Sequence, residues 1–161
     1  MSDDIYRRLA GVLDTLPNGF PSTPDGLEIR ILKKIFTPEE AELFCDLKLT
    51  PEPAAQIAER TGRPLEGLED QLTSMAERGE ILGVKVGDTK VFAMVPWVVG
   101  IYEFQIDRMD RELCEMFEEY FKVFGPPLTS VQPQIMQSIP IEQDMNSAIS
   151  RERPIFVWRI C

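Results

Sequence analysis

The fold is decided by the order of predicted elements in residues 53–95, PAAQIAERTGRPLEGLEDQLTSMAERGEILGVKVGDTKVFAMV. A short helix is predicted over AAQIAERTG, with Gly62 as its C-cap. A second helix is predicted to start at Pro64 and to end at Gly79. Two short helices joined by a tight glycine-containing turn are typical of a helix-turn-helix. Residues 81–86 and 90–95 are rich in β-branched side chains and flank Gly87-Asp88-Thr89, which predicts a β-hairpin.

The sequence upstream of this stretch supplies two more helices. Residues 27–36 carry apolar side chains at helical spacing. Thr37-Pro38-Glu39-Glu40 is a capping box with proline at the first helical position, so a new helix is expected to begin there and to run to about Leu49. Helix, helix, turn, helix and hairpin occur in the order of a winged helix-turn-helix domain, which we predict over residues 27–95.

The flanking segments predict additions to this domain. Residues 1–26 combine an amphipathic helix, capped by Ser2, with a loop rich in proline and glycine, and are expected to form an N-terminal helical arm. Residues 96–125 hold an aromatic segment and a long helix, expected from about Ile106 to Phe124 and stopped by Gly125-Pro126-Pro127. Residues 126–161 are expected to be an irregular tail. The predicted fold class is mainly α with a small β-hairpin: a winged helix-turn-helix with an N-terminal helical arm and a long C-terminal helix.

Composition limits the compartment and the chemistry. The chain has 161 residues, 43% of them hydrophobic, and a formal net charge of -10. No apolar run reaches the roughly 20 residues of a membrane span, and the acidic start does not match a signal peptide, so a cytoplasmic protein without membrane contact is expected. Cys45, Cys114 and Cys161 lie 69 and 47 residues apart, so they contain no cluster-binding motif.

No catalytic site is predicted. The chain has no histidine, which removes the commonest general base. Acidic residues occur in adjacent pairs, such as Glu69-Asp70 and Glu118-Glu119, and adjacent residues do not face each other on a helix. There is also no glycine-rich phosphate loop and no nucleophile motif. A non-enzymatic protein is therefore expected.

DNA binding is disfavoured by the charge of the second helix of the turn motif, which reads DNA in many such domains. Residues 64–78 contain four acids and one base, whereas contact with phosphates requires lysine and arginine. If DNA is bound nonetheless, the residues expected to contact it are Arg63, Thr73, Arg78, Lys85 and Lys90.

The aromatic segment and the long helix allow two interpretations. Their large apolar side chains pack onto the domain as core, or they form an interface with a partner or a second copy, where aromatic residues and methionine are favoured. The candidate interface residues are Trp97, Tyr102, Phe104, Met109, Leu113, Met116, Phe117 and Tyr120. Sequence alone leaves both interpretations open.

Three segments carry a family resemblance: LPNGFPSTPDGLEIRILKKIFTPEEAEL, IAERTGRPLEGLEDQLTSMAERGEI and VPWVVGIYEFQIDRMDRELCEMFEEYF. They resemble the N-terminal region of ferredoxin-type 4Fe-4S proteins of anaerobic bacteria, over roughly residues 6–145. In that family a winged-helix-like module precedes a cluster-binding ferredoxin domain.

The resemblance implies a role near electron transfer, but the family's closely spaced cysteines are absent after Ile139-Pro140-Ile141. No cofactor is therefore expected in this chain, since the 4Fe-4S cluster belongs to the family's C-terminal domain. Two interpretations stay open: residues 126–161 are a truncated link to that domain, or this member works without clusters. The expected function is a non-catalytic interaction or regulatory module of an iron–sulfur electron-transfer system, with a redox protein as partner. The alternative is a winged-helix transcriptional regulator that binds DNA, as a monomer or as a homodimer.

Overall fold

The computed structural model describes residues 2–130 of the chain. Over that range it is mainly helical with one two-stranded antiparallel sheet, which confirms a mainly α fold with a small hairpin. The predicted tail, residues 126–161, lies almost wholly outside the described range. In chain order the elements are α1 (Ser2–Asp14), α2 (Leu27–Ile35), α3 (Pro38–Asp46), α4 (Ala54–Thr61), α5 (Leu68–Glu77), β1 (Leu82–Val86), β2 (Thr89–Ala93), α6 (Tyr102–Phe104), a 3-10 turn (Ile106–Arg108) and α7 (Arg111–Ser130).

Helix α3 begins at the predicted capping box. The Thr37 hydroxyl accepts a hydrogen bond from the Glu40 N–H at 3.3 Å, and the Glu40 carboxylate accepts one from the Thr37 N–H at 2.9 Å. Pro38 takes the first helical position, where its missing N–H costs nothing. The two reciprocal bonds satisfy donors that a helix start otherwise leaves to water.

Helix α4 ends where predicted, at Gly62, whose φ of 74° places it in the left-handed region and whose N–H donates to the Ala58 carbonyl at 2.9 Å. The predicted start of the next helix at Pro64 is wrong, because α5 begins at Leu68. Gly67 is also left-handed, with φ 74°, so residues 64–67 form a turn in place of the first helical turn.

Helix α5 ends in a Schellman motif at Gly79, as the sequence predicts. The Glu80 N–H donates to the Met75 carbonyl, and the Gly79 N–H donates to the Ala76 carbonyl, both at 3.0 Å. Gly79 has φ 73°, which a residue with a Cβ adopts only at a cost. The motif turns the chain sharply from α5 into the hairpin.

The hairpin pairs β1 with β2 around a two-residue turn, Gly87-Asp88, with Val86 opposite Thr89. A single residue, Glu52, extends the pairing on the outer side of β2. Its N–H and carbonyl exchange hydrogen bonds with those of Phe92, both at 2.9 Å. The segment before α4 is thereby fixed to the hairpin.

Both predicted ends of the long helix are wrong. Residues 106–108 form a separate 3-10 turn, and α7 starts after Asp110, whose carboxylate accepts a hydrogen bond from the Leu113 N–H at 2.8 Å. This N-cap moves the helix start past Ile106. The helix also continues through residues 125–127 to Ser130. Pro126 and Pro127 lack an N–H donor, but the φ of proline is compatible with a helix. Only about one helical turn follows them.

One core joins all the helices that flank the hairpin. The N-terminal helix, predicted as an arm, packs along α2 and α3 and buries Tyr6, Leu9 and Leu13. The Tyr6 hydroxyl donates to the Phe36 carbonyl at 2.9 Å. Helix α7 packs on α2 from the other side. Helix α1 therefore shares the core of the predicted domain.

Candidate interaction surface

The surface predicted to contact DNA, if DNA is bound, comprises α5 and the hairpin. Leu68, Leu72 and Met75 hold α5 on the core, so its outer side carries the charged residues. The exposed residues on and just before that side include Glu66, Glu69, Asp70 and Glu77. The outer side of the helix is therefore acidic.

Arg78, a candidate DNA contact, is engaged within the protein. Its guanidinium donates to both oxygens of Glu80, at 2.7 and 3.2 Å, to the Ser74 hydroxyl at 2.7 Å and to Glu40. These carboxylates raise the pKa of Arg78, Glu80 first among them. Glu80 itself is only 1% exposed, and burial raises its pKa to about 7. Arg78 therefore ties α5 to α3, and four of its five N–H donors are used within the protein.

The other candidate contacts are also paired with acids or polar groups. Arg63 donates to Asp46 at 2.7 and 3.0 Å. The Lys90 Nζ lies 3.9 Å from the Glu69 Oε1 and donates a hydrogen bond to the Thr73 hydroxyl at 3.3 Å. On the hairpin tip, Lys85 lies 3.9 Å from Asp88. Of these residues the structure brings Lys90 and Thr73 into contact, and carboxylates of the same chain offset the charges of Arg63, Arg78, Lys85 and Lys90.

The hairpin also exposes an apolar face that the sequence analysis did not single out. Val84 and Val86 are 41% and 64% exposed and point to the same side of β1, as alternate strand residues do. On the opposite side, Gly83 lies against Ala76 of α5, where a Cβ would come within 2.6 Å of the alanine methyl. The alternation of residues 82–86 is the signal that indicates this face.

The structure divides the eight candidate interface residues of the aromatic segment and α7. Trp97, Leu113, Phe117 and Tyr120 are buried. Three others are partly buried: Tyr102, Met109 and Met116. Phe104, in contrast, is 44% exposed. The four buried residues lie in the core of a single chain and have little surface to offer a partner.

The loop after α1 packs against two of them, Trp97 and Tyr120. The Phe20 ring centroid lies 4.9 Å from that of Trp97 and 5.1 Å from that of Tyr120. The Tyr120 hydroxyl donates to the Pro21 carbonyl at 2.8 Å, and burial raises the pKa of Tyr120. Phe117 packs edge-on against Trp97 with centroids 5.3 Å apart. These rings form an internal aromatic cluster.

Two general features of residues 2–130 bear on metal and membrane binding. No three histidine, cysteine, aspartate or glutamate side chains in that range are grouped in a way that could hold a metal ion. Every helix in the same range is too short or too polar to span a bilayer.

Comparisons with protein-family models, with curated proteins and with solved structures find no match for this chain.

Proposed function

We propose that the chain is a non-catalytic winged-helix module that docks on a protein partner, with the outer side of α5 and the hairpin as the docking surface. The order α3, Glu52 pairing, α4, turn, α5 and hairpin supports the winged-helix assignment, because α4 and α5 then take the places of the two turn-motif helices.

The observation that carries the proposal is the engagement of Arg63, Arg78 and Lys90 by carboxylates of the same chain. A DNA-reading surface needs cations that are free to displace counterions from phosphates. Here the outer side of α5 is acidic, and the hairpin beside it exposes Val84 and Val86. Val84 and Val86 lie on the side of β1 that faces away from α5, so the two features suit a partner that contacts the helix with basic groups and the hairpin with apolar groups.

The resemblance to ferredoxin-type proteins supplies the setting for this proposal, with an iron–sulfur redox protein as the expected partner. The chain then acts as a docking or regulatory part of that system, and the cluster belongs to the partner.

The test is affinity capture with three forms of the full chain, followed by identification of the bound proteins by mass spectrometry. A variant with Glu69→Lys and Asp70→Lys reverses the acidic side of α5. The matched control, Glu118→Lys with Glu119→Lys, reverses two exposed acids on α7. We expect wild type and control to retain the same iron–sulfur protein and the α5 variant to lose it. A bound set that is the same for all three forms would contradict the proposal.

The second candidate is DNA binding by the same surface, which the helix-turn-helix order favours. It predicts retention of the wild-type protein on duplex DNA that weakens steeply with salt. The docking proposal predicts no retention even at low ionic strength. Retention of the wild type that Lys85→Ala with Lys90→Ala abolishes would decide for DNA.

A further inference from the structure

A cavity of about 130 Å³ lies where four parts of the fold meet. Its walls come from the end of α2, the end of α5, the turn after α6 and the start of α7. They are lined by Lys34, Ile35, Arg78, Glu80, Gln105, Arg108, Asp110 and Leu113. At about 30 Å³ per water, this volume corresponds to about four water molecules, or a ligand of about five non-hydrogen atoms.

One end of the cavity offers hydrogen-bond acceptors. Gln105 is 4% exposed, and its side-chain NH₂ donates to the carbonyls of Arg78 and Gly79 at 2.9 and 3.2 Å. These bonds fix the amide, and no described residue donates to its Oε1. Every fully buried polar side-chain atom in the described range has a partner, so Oε1 is not sealed from solvent, and Gln105 lines the cavity. The buried Glu80 carboxylate lines the same cavity.

The remaining polar lining includes two cations. Arg108 is exposed and forms no ion pair within 4 Å of a described carboxylate, although its charge acts to lower the pKa of Glu80, which burial raises. Its guanidinium can therefore bind an anion. Lys34 lies 2.9 Å from Asp110 and also pairs with Glu112, both of which are exposed partners and readily exchanged. Ile35 and Leu113 form the apolar part of the cavity wall.

We propose that this cavity binds a small zwitterion of the α-amino-acid class, with its carboxylate at Arg108 and Lys34 and its ammonium group at Gln105 Oε1 and Glu80. A ligand of zero net charge is not repelled by a chain whose net charge is -10. A purely anionic ligand would meet Glu80 and Asp110, and a purely cationic one would meet Arg108. Arg78 lines the cavity, but none of the exposed acidic residues of α5 does, so the ligand and the docking partner are tested separately.

The test is titration of the ¹⁵N-labelled full chain, followed by NMR, with three probes at equal ionic strength: glycine, acetate and methylammonium. Glycine is expected to shift the Gln105 side-chain amide saturably. Acetate and methylammonium each lack one charged end, so each should bind at least about tenfold more weakly. Equal affinity for glycine and acetate, or no saturable shift with glycine, would overturn the proposal.

Two variants make the test specific to the cavity. Arg108→Gln removes the free guanidinium and should weaken glycine binding by at least about tenfold. Arg111→Gln is the matched control, because Arg111 is exposed, pairs with Glu115 and does not line the cavity. An unchanged spectrum outside the cavity shows that each variant is folded. Equal glycine affinities for the two variants would refute the assigned role of Arg108.

Discussion

Replacing Gly79 with alanine should destabilise the protein for two separable reasons. Alanine at φ 73° costs about 1–2 kcal/mol of backbone strain. Its Cβ would also lie 2.5 Å from the Phe104 Cβ and 2.7 Å from the Phe104 carbonyl oxygen, so backbone after the hairpin must move. Such overpacking costs about 1–3 kcal/mol. The total, about 2–5 kcal/mol, corresponds to a fall in Tm of about 6–15 °C for a chain of this size.

Gly62→Ala is the control that measures the loss of unfolding free energy from backbone strain alone. Gly62 has φ 74°, and a Cβ there meets nothing within 4 Å. Urea unfolding of both variants, followed by tryptophan fluorescence, should give a loss of about 1–2 kcal/mol for Gly62→Ala and a clearly larger one for Gly79→Ala. Equal losses would mean that α6 does not pack against the end of α5, and the reasoning would fail.

Three further outcomes are expected. The pKa of Glu80 in the folded protein, about 7, lies above its ordinary value of 4.5, so the folded protein binds this proton more tightly than the unfolded chain. The free energy of unfolding should therefore fall as the pH rises from about 5 to 7. Glu80→Gln should reduce this pH dependence, measured by urea unfolding at a series of pH values. Thr37→Ala removes one bond of the capping box and should cost about 1 kcal/mol in the same melts, whereas a loss near zero would mean that α3 does not depend on its cap. Burial raises the pKa of the Cys45 thiol to about 11, so iodoacetamide at pH 8 should label it roughly a hundredfold more slowly in the folded than in the unfolded chain, as peptide mapping would measure; equal rates would show an exposed thiol.

Local signals in the sequence were enough to predict several boundaries. The Thr37 capping box, Gly62 and Gly79 each act on a backbone within a few residues of themselves, so short motifs identify them. The hairpin follows from alternation around Gly87-Asp88 for the same reason. Where two local signals competed, prediction failed: Pro64 favoured an early start of α5, and Gly67 delayed it.

Long-range contacts decided what local patterns could not. The period of the apolar residues on α7 identifies a face, but it does not say what covers that face. Part of that cover is Phe20, from a loop about 100 residues earlier in the chain, and part is helix α2. Likewise, Arg78 is the base expected to contact DNA, and its partner Glu40 lies 38 residues away. Sequence could indicate these side chains but could not show which residues they contact.

The bond between Tyr120 and Pro21 also has a consequence for synthesis and folding. It joins positions 99 residues apart, so it closes one of the longest loops in the described chain. At about 5–20 residues per second, the loop after α1 leaves the ribosome seconds before α7 exists to cover it. During that interval Phe20 lacks its tyrosine partner. Completion of the native contacts therefore waits for the C-terminal helix, and contacts of such large sequence separation are the kind that slow folding.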